Sequence, residues 1–170
     1  NLARQLKNNK ASCMPFATLS LFDSSMLQKK AAELWIQETF PKNNIPKKII
    51  KYKPNKKIKL GYYSADYHNH ATSFLIAELM ELHNKSKFEL FGFSFGPNKQ
   101  DEMRKRVSSS FDQFIDVRLK SDDEIVELSR KLEIDIAVDL KGITTDSRFG
   151  IFLKRCAPIQ INFLGYPGTL

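Results

Sequence analysis

The chain has 170 residues, 42% of them hydrophobic, with 27 Lys and Arg against 19 Asp and Glu and a formal net charge of +8. That is length for one domain plus a lead-in, with enough apolar content for a true core. No apolar run approaches the roughly 18 residues a membrane-spanning helix needs, and Cys13 and Cys156 offer neither a metal spacing nor a disulfide framework, which points to a reducing, cytoplasmic setting.

The chain begins at Asn1 and reads as a fragment of something longer. Residues 1–10 are polar and without period, an arm or the end of a preceding unit. Pro15–Phe22 (PFATLSLF) is short and apolar. Asp23, Ser24 and Ser25 are then candidates to cap a helix that runs to about Phe40 with Leu27, Ala31, Leu34 and Trp35 on one stripe, and Pro41 ends it. Residues 1–41 therefore form a helical lead-in. Residues 42–56 follow as a connector carrying Pro46 and Pro54. The stretch 42–59 holds eight lysines (42, 47, 48, 51, 53, 56, 57 and 59) and no acid. Without them the chain has 19 basic and 19 acidic residues. The excess charge is thus local, which argues against a nucleic-acid-binding face. The lysines suit a solvated linker or, alternatively, a phosphate or membrane-surface contact.

From residue 57 strand and helix patterns alternate: strands near 57–64, 88–95, 113–117, 134–140 and 159–164, with helices near 72–84, 99–110, 121–132 and 147–155. The first helix carries Leu75, Ile76, Leu79, Met80 and Leu82 at near-helical spacing; the second turns Met103 and Val107 inward. The third opens with Ser121 and Glu124 as a capping box and shows Ile125, Leu128 and Leu132 on one face. This alternation predicts an α/β domain over 57–170: a Rossmann-like, doubly wound parallel sheet with strand order 3-2-1-4-5. Ligands of such sheets bind outside the carboxyl ends of the strands where the order reverses. The loops 65–71, 141–146 and 165–169 open there.

Within these loops His70 is the leading candidate to hold or take a proton; the alternative is a histidine satisfied by backbone bonds at the helix start. His68 is weaker, and His83 suits a surface position. Asp66 either orients a histidine or caps the loop, and Asp139, if inward, needs a partner. Thr144, Thr145, Ser147 and Arg148 precede the last helix, whose N-terminus could hold an anion or be capped by Asp146 or Ser147. The dinucleotide fingerprint, the Walker A sequence, the G-x-S-x-G elbow and the H-E-x-x-H metal motif are absent. The acids of a receiver domain are represented only by Asp66 and Asp116.

The run LGYYSADYHNHATSFLIAELMELHNKSKFELFGFSF resembles the opening of the catalytic region of the protein O-GlcNAc transferase, Spindly-like glycosyltransferases, where a G-Y-x-S-x-D-F-x-x-H-[PA] segment occurs. VDLKGITTDSRFGIFLKRCAPIQINFLGYPGT resembles a later signature of that family, with APIQ and LGYPGT matched outright. PFATLSLFD…LQKKAAELW resembles the segment joining the family's tetratricopeptide repeats to the catalytic part. The resemblance covers the chain after about residue 12.

It implies the first lobe of a GT-B glycosyltransferase that uses no metal and no cofactor beyond its nucleotide-sugar donor. UDP-GlcNAc would lie between this lobe and a second that supplies most nucleotide contacts. Inverting transfer of N-acetylglucosamine to Ser or Thr of acceptor proteins follows, the acceptors being recruited through an upstream repeat region. His70 matches the family histidine proposed as base or organiser; Pro167, Gly168 and Thr169 match a loop lining the active site, and Asp66, Asn69 and Thr144 are expected to line the same crevice. Ala71 stands where many relatives carry Pro, and Ile143 where many carry Tyr or His. The chain alone is expected to transfer no sugar. O-fucosyl and N-glucosyl transfer by sibling enzymes, or a non-catalytic polyanion-binding module, are the alternatives.

Overall fold

A computed structural model describes residues 2–10, 13–41, 51–53, 55–166 and 168. Three helices come first: α1 (Leu2–Lys7), α2 (Pro15–Leu21) and α3 (Ser25–Thr39). The alternating domain follows as β1 (Ile58–Ser64), α4 (Ala71–Leu82), β2 (Phe88–Ser94), α5 (Glu102–Ser109), β3 (Gln113–Asp116), α6 (Asp122–Lys131), β4 (Ile136–Asp139), α7 (Gly150–Leu153) and β5 (Ile159–Asn162). The sheet order is β3-β2-β1-β4-β5, with every adjacent pair parallel. The predicted order is therefore the observed one. Its reversal lies between β1 and β4.

Period-two alternation along β1 feeds a core on each face of the sheet. Leu60 and Tyr62 join Ile76 and Met80 of α4 and Val107 of α5. Tyr63 points the other way, among Phe91, Phe93, Ile125 of α6 and Ile151 of α7. Its ring lies parallel to that of Phe93, centroids 4.3 Å apart, and its hydroxyl donates to Ser129 Oγ at 2.6 Å. Ser121 and Glu124 close the expected capping box, and Ser24 caps α3 by accepting from Leu27 N–H.

Three expectations need revision. α1 was not signalled by any period, yet Leu6 is fully buried with Leu27 and Ala31: one apolar anchor suffices when the neighbouring helix supplies the rest. On α4 the buried face is Thr72, Ser73, Ile76, Ala77 and Met80, while Leu75, Leu79 and Leu82 face outward with Phe74. Small side chains let the helix lie close on the sheet, and Ser73 Oγ donates to the Asp66 carbonyl at 2.6 Å; of the five apolar residues singled out in the sequence, Ile76 and Met80 lie on this face and Leu75, Leu79 and Leu82 do not. The helix expected over 147–155 shrinks to the four residues of α7. Asp146 and Arg155 take left-handed backbone conformations at φ 59° and 57°, which closes the helix off at both sides.

The lead-in does not stand apart. One side of α3 packs on α1 and α2, and Ala32, Trp35 and Ile36 on the other meet Ile143, Phe149 and Tyr166. Ile143 and Tyr166 belong to the loops at the carboxyl ends of β4 and β5. Most of the lysine-rich connector, residues 42–50 and 54, lies outside the described residues. In its described part and just after it, Lys51, Lys53, Lys56 and Lys57 are exposed, whereas Lys59 donates to the Leu132 carbonyl at 2.9 Å. His83 is not a free surface group: it is half-buried, and its Nε2 sits 2.8 Å from Tyr62 Oη.

Gly96, just past β2, is where the β1 loop passes closest. A Cβ there would sit 1.7 Å from the Ala65 carbonyl oxygen, and backbone cannot yield as a flexible side chain does. Gly96→Ala is expected to lower unfolding free energy by about 1–3 kcal/mol, measured by urea denaturation, and to shift amide resonances of residues 64–70 before those of α6.

Candidate functional site

The parallel register places Tyr63 beside Asp139, so the chain leaves β1 and β4 at the same level. Residues 65–70 and 140–146 then run side by side. Two charged side chains 75 positions apart meet as a result. Lys141 Nζ donates to Asp66 Oδ2 at 2.9 Å and to Oδ1 at 3.2 Å, with both side chains only 9% exposed.

The 65–70 loop is held on every side. Asp66 N–H donates to Ser64 Oγ at 2.9 Å, and His68 N–H to the Asp66 carbonyl at 2.8 Å. Tyr67 is buried edge-on against Phe111 and Phe114, and its hydroxyl donates to the Tyr62 carbonyl at 2.9 Å. Arg104 lies over the Phe114 ring and donates to the Tyr67 carbonyl and Ser94 Oγ, each at 3.2 Å. Asn69 ties the loop to the start of α5: its N–H donates to Asp101 Oδ2 at 2.8 Å and its Oδ1 accepts from Met103 N–H at 3.3 Å. Its backbone N–H and side-chain Oδ1 are used for anchoring.

His70 occupies the N-cap of α4 with extended backbone. Its Nδ1 accepts from Thr72 N–H at 3.2 Å and lies 3.7 Å from Asp66 Oδ2. Of the two readings of this residue, the backbone-satisfied one is present in the structure. It does not exhaust the ring, because the side chain is 42% exposed and Nε2 has no hydrogen-bond partner among the described residues. An imidazole nitrogen that accepts from an amide carries a lone pair, so the proton of the neutral ring resides on Nε2. His70 thus offers an N–H to the crevice.

His68 is 7% exposed and its Nδ1 has no hydrogen-bond partner among the described residues. Its ring lies 5.6 Å from that of His70. Burial, reinforced by Lys99, pushes its pKa down.

The β4 loop is built around Asp139. Its Oδ1 accepts from Lys141 N–H at 2.8 Å, with Gly142 N–H and Asn162 beside it, and burial raises its pKa against these bonds. The inward aspartate has therefore found its partners in its own turn. Gly142 sits at φ 58°, and a Cβ there would come within 2.5 Å of Tyr166 Cβ. Thr144 Oγ1 donates to the Lys141 carbonyl at 3.1 Å.

The anion site expected before the last helix is not assembled. α7 has a single turn, Phe149 at its N-cap makes no side-chain bond, and neither Asp146 nor Ser147 caps it. Arg148 is drawn to Asp122, with Nε to Oδ1 at 2.7 Å. Gly168 lies against the Tyr166 ring, where a Cβ would come within 2.5 Å of its edge. Pro167 and Thr169 lie outside the described residues. Ile143 is fully buried beneath α3 rather than facing the crevice. Lys141 escaped the sequence reading, although the predicted neighbours at 57–64 and 134–140 already placed residue 141 opposite Asp66.

Residues 24–170 match the profile of glycosyl transferase family 41. The chain is 35% identical over 114 residues to the probable UDP-N-acetylglucosamine–peptide N-acetylglucosaminyltransferase SEC of Arabidopsis thaliana, covering 67% of this chain and 12% of that protein. It is 31% identical over 114 residues to the UDP-N-acetylglucosamine–peptide N-acetylglucosaminyltransferase of Caenorhabditis elegans, covering 66% of this chain and 10% of that one. Among solved structures, a Thermobaculum terrenum O-GlcNAc transferase mutant superposes with a TM-score of 0.77 at 25% identity, over 88% of this chain and 29% of the other. The chain thus spans a small part of the length of these relatives.

The depressed histidines give a pH signature. Burial lowers the pKa of both His68 and His83 from an ordinary 6.5. The unfolded chain then binds protons that the folded one resists, so stability from these groups is full above 6.5 and is lost as pH falls below it. Thermal melts are expected to show wild type losing more Tm than a His68→Gln/His83→Gln variant when the pH is lowered through this window.

Proposed function

The chain belongs to glycosyl transferase family 41, and from that premise we propose that it is the first catalytic lobe of a protein O-GlcNAc transferase. Its reaction is inverting transfer of N-acetylglucosamine from UDP-GlcNAc to a Ser or Thr hydroxyl, without a metal. A hydroxyl oxygen of the acceptor bonds to C1 of the sugar, the C1–phosphate bond breaks, and UDP leaves with the bonding pair. The chemistry needs a path for the hydroxyl proton and donors for the developing charge on the diphosphate.

The observation that carries this reading is the position of His70 within a chain matched to the family over residues 24–170: a half-exposed imidazole at the start of α4, beside the point where the sheet order reverses. Its Nε2 is free to contact an oxygen of donor or acceptor. The crevice supports a two-lobed enzyme. The groove at the ends of β4 and β5, lined by Asp139, Phe149, Phe152, Gln160 and Asn162, holds about 190 Å³ and does not include His70, so a nucleotide sugar at His70 needs a second wall. A second lobe would provide it and most of the nucleotide contacts. Acceptor proteins would arrive through a repeat region ahead of α1, and the whole enzyme would work in the cytoplasm. No described helix is long and apolar enough to cross a membrane.

Two variants separate chemistry from folding. His70→Asn removes the imidazole but keeps a good capping side chain for α4. In the full-length protein it is expected to lower kcat for transfer from UDP-GlcNAc by about 10²-fold or more, while stability changes by no more than about 0.5 kcal/mol. Unchanged transfer by His70→Asn, or sugar transfer by the 170-residue chain alone at the full-length rate, would overturn the assignment.

A further inference from the structure

The geometry points to Lys141 as the positioning residue of this site: by saturating the Asp66 carboxylate, it holds His70 in the form that is bare at Nδ1 and protonated at Nε2. A carboxylate near an imidazole nitrogen ordinarily draws the ring proton to that nitrogen and orients the ring through it. Asp66 Oδ2 is 3.7 Å from His70 Nδ1, close enough to compete for that proton. Yet Nδ1 accepts from Thr72 N–H. One ring nitrogen has a single in-plane site and cannot accept from Thr72 and donate to Asp66 together.

Lys141 decides the competition. Its ammonium contacts both carboxylate oxygens, at 2.9 and 3.2 Å, where each side chain is 9% exposed. Asp66 is charge-matched without help from the imidazole, so Nδ1 remains the cap of α4 and Nε2–H points outward. The other acid near this loop, Asp101, is engaged by Asn69 and Arg104 N–H. Lys141 is itself fixed by its backbone, since its N–H donates to Asp139 and its carbonyl accepts from Thr144. The influence therefore runs from the end of β4, through Asp66, to the first turn of α4. Where this rests on the glycosyltransferase reading, it makes His70 a hydrogen-bond donor to a substrate oxygen and not the base that takes the acceptor's proton. A base role would need Nδ1–H turned to Asp66 and the helix cap given up.

The test reads the tautomer directly. In the 15N-histidine-labelled protein, at a pH where the ring is neutral, long-range 1H–15N spectra are expected to show His70 with Nδ1 unprotonated and Nε2 protonated. Lys141→Gln keeps a hydrogen-bond donor and removes the charge. It is expected to shift the His70 population toward Nδ1–H by about tenfold, the effect of one uncompensated neighbouring charge. Lys141→Arg should retain the wild-type tautomer, and Asp66→Asn combined with Lys141→Gln should restore it. A protonated Nδ1 in the wild-type protein overturns the proposal even if no variant folds; so does a wild-type tautomer in folded Lys141→Gln. In the full-length protein Lys141→Gln is expected to lower kcat with the KM for UDP-GlcNAc unchanged. A shifted tautomer with transfer intact would uphold Lys141 as the control on His70 and overturn the catalytic reading of His70 instead.

Discussion

The mouth of this domain depends on the parallel pairing of β1 with β4. That one register, with Tyr63 level with Asp139, makes two chain segments turn off the sheet at the same height. It also brings them within reach of each other over a long sequence separation. Parallel neighbours cannot be joined by a hairpin, so each must leave its strand through a loop on the same side. The Lys141–Asp66 contact is what that rule produces when one loop begins with a cation and the other with an anion. A slip of one residue would turn Tyr63 from the α6 side to the α4 side and separate the charges.

The contact is an unusual investment for a small domain. Two ions taken out of water regain through mutual attraction only about what they lost in hydration, so such a pair adds little to stability while its rupture is expensive. Its value lies in definition. Around it the loop is held by Ser64, Ser73 and Arg104, all of which act on backbone atoms. The side chains of the loop are thereby left with settled orientations, and His70 faces outward from a rigid base.

Much of the domain was legible in the sequence because its signals are local and repeated. The strand patterns at 57–64 and 88–95, the Ser121–Glu124 box and the commonest order of doubly wound sheets anticipated the arrangement observed. What failed had causes that periodicity does not report. The inner face of α4 is chosen by Ser73 and Ala77, whose small size matters only against a particular sheet. The last helix was cut short by left-handed backbone at Asp146 and Arg155, which no periodicity reports. His70 was legible both as a residue of interest and as a histidine bonded to backbone at the helix start; that its Nδ1 makes that bond while Nε2 stays outward depends on a ring rotation that the sequence does not carry. Arg148, read in the sequence as positive charge at the start of the last helix, is instead paired with Asp122.

The seating of α3 has a mechanical corollary. Ile143 and Tyr166 are buried beneath Ala32, Trp35 and Ile36, and each belongs to a loop that frames the crevice. The helix α3 therefore acts as a keystone over the rim: any displacement of it is felt at Ile143, two residues from Lys141.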